Sequence, residues 1–345
     1  MSQPRTARSA PRLIAVWAAA VASLSLLGTA ERVHTQVPSW VFRPPIRTAN
    51  DGQVHVQPVR GSVSMLVGAG GNITVSAGDD GLLLVDSGVA AMSDKVLAAV
   101  RSLSPEPIRY IVNTNERDEY TGGNETIAAA GVTIPFRPNE TIQIQGYIGT
   151  ERATVVSFLS VFERMSAPTG RAAPRAEGAW PDATYSTPQK KLYFNSEPVL
   201  IMHQPSTTDG NSIVHFRTPD VISVGDLIDL TGYPFIDLEA GGSVQAIIQG
   251  VNRVIDMTVP NRQSEDGTLV IPGHGRIADQ PDVVYYLEMV AIVRDRVEDM
   301  ISRGMTVGQV QAARPTRDFD TRYGRDTGAW TTNMFVEAVY KSLKK

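Results

Sequence analysis

Cysteine is absent from all 345 residues. Disulfides, thiolate nucleophiles, cysteine-based zinc sites and iron–sulfur clusters are therefore excluded. Histidine is nearly as scarce: His34, His55, His203, His215 and His274 are the whole supply. His34 and His55 lie in an N-terminal leader, and His203 and His215 fall on expected strands. A dinuclear zinc site built mainly from imidazoles cannot be assembled from that inventory. Excess charge of one sign is missing too. Charged residues make up 20% of the chain, both signs are mixed, and the formal net charge is −4. That balance offers no basic surface for nucleic acid. Heptads, solenoid periods and low-complexity tracts are also lacking. "GAGG", Gly68 to Gly71, has neither the spacing nor the following helix of a nucleotide loop.

What is present is 42% hydrophobic content, enough to bury a large core. The N-terminus reads as an export signal. Arg5, Arg8 and Arg12 precede an apolar run from Leu13 to Ala30 that ends in small residues. A run of about 18 residues can just span a bilayer as a retained anchor. Ser23, Ser25 and Thr29 weigh against that rival, and no stable membrane span is expected after cleavage. The expected divisions are a signal peptide at 1–30, an irregular leader at 31–60, a main domain at 61–280 and a helical extension at 281–345. Pro44 and Pro45 interrupt the leader, which carries an edge strand near Val54 to Val56.

Short strands rich in Val, Ile and Leu follow, each bounded by Gly or Asp: "SVSMLVG", "NITVSAG" and "GLLLVDSG". Ser93 is expected to cap a helix with Val96, Leu97, Val100 and Leu103 on one face. "IRYIVN" reads as a strand, and "NETIAAAG" as a short helix stopped by Gly131. The second half repeats the plan with "PVLIMHQ", "SIVHF" and "VISVGD", and a helix capped by Ser243. "TLVIPGHG" is then a strand, and a long helix starts at Asp282. Ala167 to Ser186 reads as a long surface loop, a lid over a site. Two such halves predict sheets packed face to face between helical layers. Asp86 is expected to tie its strand end to the neighbouring loop, and Asp209 and Asn211 to form turns.

In order, "GGNITVSAGDDGLLLVDSG", "IRYIVNTNERDEYTGGN", "TTDGNSIVHF", "DVISVGD" and "IPGHG" resemble the landmarks of the metallo-β-lactamase superfamily over roughly residues 61 to 280. The tail resembles the helical C-terminus of its exported bacterial members. The resemblance implies an αββα sandwich with a helical C-terminal extension. It also implies descent from zinc- or iron-dependent hydrolases with the site on one edge. The ligand positions depart from that pattern. The family's Thr-His-x-His-x-Asp-His loop here places Asn115 and Arg117 at its first two histidines. Glu119 stands at its aspartate and Tyr120 at its last histidine. A further ligand position holds Thr207, and only Asp226 and His274 match. By the resemblance, positions 115, 117 and 207 would hold a first metal. Asn, Thr and a permanently protonated Arg leave that subsite empty.

The second subsite admits two readings. Glu119, Tyr120, Asp226 and His274 offer donors for one hard or borderline divalent ion. Alternatively they form a salt-bridge cluster in which Arg117 replaces the lost ion. The expectation is no cofactor, with one divalent ion as the rival. The cleft is expected to bind a small molecule or a partner without hydrolysis. The alternative is a surviving hydrolase of an ester, thioester, lactone or lactam, using that single ion or a metal-free pair of His274 with Asp226 or Glu119.

Overall fold

The computed structural model describes residues 51–133, 152–261 and 266–344. The expected export signal, with His34 and the leader up to residue 50, lies outside the described residues.

Four antiparallel strands open the fold: β1 (His55–Arg60), β2 (Val63–Val67), β3 (Ile73–Gly78) and β4 (Gly81–Val85). Three parallel strands extend the sheet: β5 (Ile108–Val112), β6 (Thr154–Phe158) and β7 (Ala183–Tyr185), giving seven strands in chain order. A second sheet has five strands in the order β12-β11-β10-β9-β8. They are β8 (Gln189–Phe194), β9 (Glu197–His203), β10 (Ser212–Phe216), β11 (Val221–Ser223) and β12 (Leu269–Ile271). Only β11 and β12 pair in parallel.

The two-residue period of a strand explains the layering. On β4, Leu83 and Val85 face the second sheet and pack with Ile201, Val214 and Phe216. Leu82 and Leu84 face outward onto Val96, Val100 and Ile127. Each such side chain, fully removed from water, stabilises the fold by roughly 1.5–3 kcal/mol. The outer layer on that side is α1 (Ser93–Leu103), with α2 (Asp118–Thr121) and α3 (Asn124–Ala129) after β5. A further helix, α4 (Leu159–Ser166), follows β6. The five-stranded sheet is covered by α5 (Val244–Met257) and α6 (Gln280–Ser302). The tail then adds α7 (Val307–Ala313), α8 (Asp320–Tyr323) and α9 (Thr332–Leu343). Their Val310, Tyr323, Phe335 and Val339 join the same apolar cluster as Val283, Tyr286, Val290 and Val297 of α6. The result is the αββα sandwich with a helical extension.

Several local expectations are corrected. The edge strand expected near Val54 to Val56 runs further than expected, from His55 to Arg60, and pairs with β2. Pro58 is tolerated there because an edge strand has one unpaired side, and the register shifts beside it. Ser93 does not cap α1. A 3₁₀ turn at Ala90–Met92 precedes the helix, and Ser93 Oγ donates back to Ala90 O at 2.9 Å. Asp279, not Asp282, caps α6, with Asp282 completing the capping box. The loop from Ala167 ends in β7, so its last residues belong to the sheet. Ser243 does cap α5, accepting from Ala246 N.

Candidate functional site

The site gathers where parallel strands of both sheets end. Asp86, at the end of β4, adopts a φ of 67°. Its carboxylate accepts from Thr114 N at 2.7 Å and Thr114 Oγ1 at 2.8 Å. That bond fixes the loop after β5, which carries Asn115 to Glu119. From the other sheet, Gly225 follows β11 with a φ of 52°, and a Cβ there would lie 2.3 Å from Thr114 Oγ1. Only glycine permits this approach, which brings Asp226 beside the β5 loop. His274 follows β12 in the next loop.

Arg117 stands at the centre. Its Nη1 donates to Asp226 Oδ2 at 3.0 Å, and its Nη2 lies 2.5 Å from Glu119 Oε1. The second contact is an ion pair by distance, since Glu119 Oε1 accepts no aligned hydrogen bond. Glu119 Oε2 faces His274 Nε2 at 3.2 Å. The other oxygen of Asp226 accepts from Thr207 Oγ1 and Asn211 Nδ2, both at 2.8 Å. The Arg117 guanidinium also stacks 4.3 Å from the Phe235 ring centroid. Asp226 is only 3% exposed, whereas Arg117 and Glu119 keep about a quarter of their side-chain surface.

The electrostatics follow from these contacts. Burial pulls the Arg117 guanidinium down, but Asp226 and Glu119 outweigh it and hold the charge more firmly than usual. Burial pushes the Glu119 carboxyl up, yet the His274 hydrogen bond and the charge of Arg117 bring it below the usual range. Burial likewise depresses His274, and its Glu119 hydrogen bond and the charge of Asp229 raise it overall. The four groups form a closed set in which Arg117 bridges the two carboxylates and His274 hydrogen-bonds to Glu119.

Of the seven expected site positions, Arg117, Glu119, Asp226 and His274 line a cavity, and three stand behind its wall. Asn115 turns its own loop, its Oδ1 accepting from Arg117 N at 2.8 Å. Thr207 is fully buried and gives its hydroxyl to Asp226. Tyr120 is 0% exposed, and its hydroxyl lies under Gly273, where a Cβ would sit 2.4 Å away. These three therefore do not belong to the open cleft: packing and internal hydrogen bonds occupy them.

This arrangement does not fit a divalent ion. The positive guanidinium fills the interval between Glu119 and Asp226, and the Tyr120 hydroxyl faces protein. Among the described residues no group of three or more His, Asp and Glu side chains is arranged to hold a metal.

Two cavities flank the Arg117–Phe235 wall. The larger, about 650 Å³, is roofed by the segment from Ala167 to Arg175. Its cations are already paired: Arg164 with Glu116 and Asp209, Arg171 with Asp237, Arg175 with Asp118. Glu116, which sequence reasoning passed over, lines this cavity, and burial pushes its carboxyl up to about 7 against the pull of Arg164. The smaller cavity, about 190 Å³, is closed by the tail through Tyr323, Arg325 and Trp330. No sequence signal marked those residues as neighbours of His274. The patterning of the tail points only to packing. Asp209 and Asn211 do more than turn the chain, since Asn211 donates to Asp226 and Asp209 accepts from Arg164 and Ser160.

The metallo-beta-lactamase superfamily profile matches residues 66–274, more than half of the chain. Among curated proteins nothing matches. A metallo-beta-lactamase from Pontibacter korlensis superposes with a TM-score of 0.51 at 16% identity, covering 69% of this chain and 99% of that one. A double mutant of the sec-alkyl sulfatase PisA1 gives 0.57 at 14% identity, covering 96% of this chain and 62% of that one. The stereoselective inverting sec-alkylsulfatase Pisa1 from Pseudomonas sp. gives 0.56 at 14%, covering 84% and 50%. At such identities the likeness concerns the fold. With its sandwich, its edge site and its profile match, the chain belongs to the metallo-beta-lactamase superfamily.

Proposed function

We propose that this chain is an exported member of the superfamily that has given up metal-dependent hydrolysis and uses its cleft to bind a small molecule. The observation that carries the reading is Arg117, whose guanidinium neutralises Glu119 and Asp226 from within the protein. A divalent ion entering there would meet a fixed charge of the same sign at close range in a half-buried site. Tyr120 and Thr207, the two hydroxyls at ligand positions, are turned away from the cavities. Metal analysis of the purified, untagged protein tests the reading. Well under one equivalent of zinc, iron or manganese is expected after dialysis, and a chelator should leave the melting temperature unchanged. Stoichiometric metal that disappears in Glu119→Gln and Asp226→Asn would refute it.

Export rests on the basic start and apolar run ending at Ala30. The mature chain is expected to begin near Glu31. N-terminal sequencing that finds Met1 retained in a membrane fraction would overturn this. Among the described residues, no helix is long and apolar enough to cross a membrane.

One observation favours a second reading. His274 and Glu119 form a base–carboxylate pair at 3.2 Å on the wall of the small cavity. In a surviving hydrolase His274 would activate water against an ester, thioester, lactone or lactam carbonyl. Turnover in chelator that is lost in His274→Ala would favour that reading over simple binding.

A further inference from the structure

Every cation lining the two cavities beside Arg117 is already matched to a carboxylate, with one exception. Arg117, Arg164, Arg171 and Arg175 each have an acidic partner, and His274 has Glu119. Arg325, on the wall of the 190 Å³ cavity, has none among the described residues. Its guanidinium makes one long hydrogen bond, to Thr231 Oγ1 at 3.4 Å. The backbone around it is nonetheless held in place. Arg325 N donates to Thr332 Oγ1 at 2.9 Å, and Thr332 N donates to Arg325 O at 2.9 Å.

Tyr323 and Trp330 complete the same wall with their rings. Trp330 Nε1 and the Tyr323 hydroxyl are buried without a hydrogen-bond partner, and Tyr323 is 1% exposed as a whole. An unmet acceptor stands opposite. Asp229 Oδ1 takes three bonds from Thr231 and Gly232, but its Oδ2 has no hydrogen-bond or ion-pair partner among the described residues. Arg325 and Asp229 face each other across Gly232. A Cβ on that glycine would lie 3.4 Å from Asp229 Oδ2 and 3.5 Å from Arg325 Nη2, yet the two side chains form no ion pair. The gap is kept open on the scale of one small ligand group.

We infer that the small cavity binds a compact carboxylic acid carrying a hydrogen-bond donor on the adjacent carbon, an α-amino or α-hydroxy acid. The carboxylate meets the Arg325 guanidinium, while the α-amino or α-hydroxyl group donates to Asp229 Oδ2. Phe235 and Tyr233 supply apolar walls for a short side chain. A guanidinium suits this role because its planar fork matches a carboxylate. Glu119 and Asp226 are already engaged by Arg117 and are not free to pair with Arg325. The inference deepens the metal-free binding reading and rests on it.

The test is calorimetric titration of the chelator-treated full-length protein with three probes of equal size: alanine, lactate and propionate. Alanine or lactate is expected to bind, and propionate at least about tenfold more weakly, because it leaves Asp229 unmet. The better of the two identifies the α-substituent. Arg325→Gln should remove binding of all three. Asp229→Asn should erase the preference over propionate, since the amide oxygen still caps the turn while the charge is gone. Arg325 is exposed and Asp229 keeps its turn, so both variants are expected to fold. Circular dichroism checks that. The inference falls if none of the probes binds, if propionate binds as tightly as the others, or if Arg325→Gln binds unchanged. Binding that appears only on adding zinc would instead overturn the metal-free reading, and with it this inference.

Discussion

Arg117 holds two carboxylates of unequal dependence. Asp226 is 3% exposed and receives charge from Arg117 alone, its other partners being the neutral Thr207 and Asn211. Glu119 is about a quarter exposed and also faces His274. Removing the guanidinium therefore strands Asp226 far more than Glu119. Arg117→Ala is expected to cost about 3 kcal/mol, toward the lower end for breaking a buried pair because water reaches one side. Adding Asp226→Asn should recover most of the loss, since an amide oxygen still accepts from Thr207 and Asn211. Adding Glu119→Gln should recover little. A double-mutant cycle by chemical denaturation measures both couplings. Additivity of Arg117→Ala with Asp226→Asn would show that Arg117 does not compensate that charge. At this scale the sequence was informative, because residue type alone fixes that Asn, Arg and Thr cannot act as imidazoles. Burial was not legible. Nothing in "NTNERDEY" tells that Glu116 opens onto the larger cavity while Asn115 and Tyr120 turn away from it.

Elements with strong patterning were readable, and those defined by partners were not. β2 to β4 and β9 to β12 declare themselves by β-branched and aliphatic runs between turn residues, and Ser243 announces α5. β7 is only three residues long and lies at the end of a Pro- and Gly-rich loop. It exists because β6 offers an unpaired edge, which no local signal reveals. The tail segment between α8 and α9 is another such case: its apolar pattern explains its docking but not which cavity its polar groups close. Glycines in connecting loops can be tested directly. A Cβ at Gly71 would meet Tyr120 Cε1 at 2.5 Å, with only side-chain atoms of Tyr120 nearest. Gly71→Ala is expected to destabilise by about 1–3 kcal/mol through overpacking, and Tyr120→Leu in the same chain should relieve much of it. Gly273→Ala also meets the backbone oxygen of Gly225 at 2.7 Å, so Tyr120→Leu should rescue it less. Equal rescue of both, measured by urea denaturation, would contradict this account.

At the scale of the whole molecule, the seam between the two sheets is the feature with the widest reach. Arg117 and Glu119 hang from the seven-stranded sheet, and Asp226 and His274 from the five-stranded one. Val214 packs within the seam, whereas Val100 on α1 packs against the outer face of the seven-stranded sheet, and both are fully buried. Truncating either to alanine should cost similar stability, of order 1–3 kcal/mol. Only Val214→Ala is expected to move the ring resonances of His274, and equal shifts from both would oppose that. The cluster thus behaves as a calliper. Its jaws are fastened to different plates, and its reading is the distance between charges. A slip of a few tenths of an ångström between the plates, too small to alter either sheet, is registered where a ligand would sit. Drift in the amino acids of the interior therefore reaches the cleft without touching any residue that lines it.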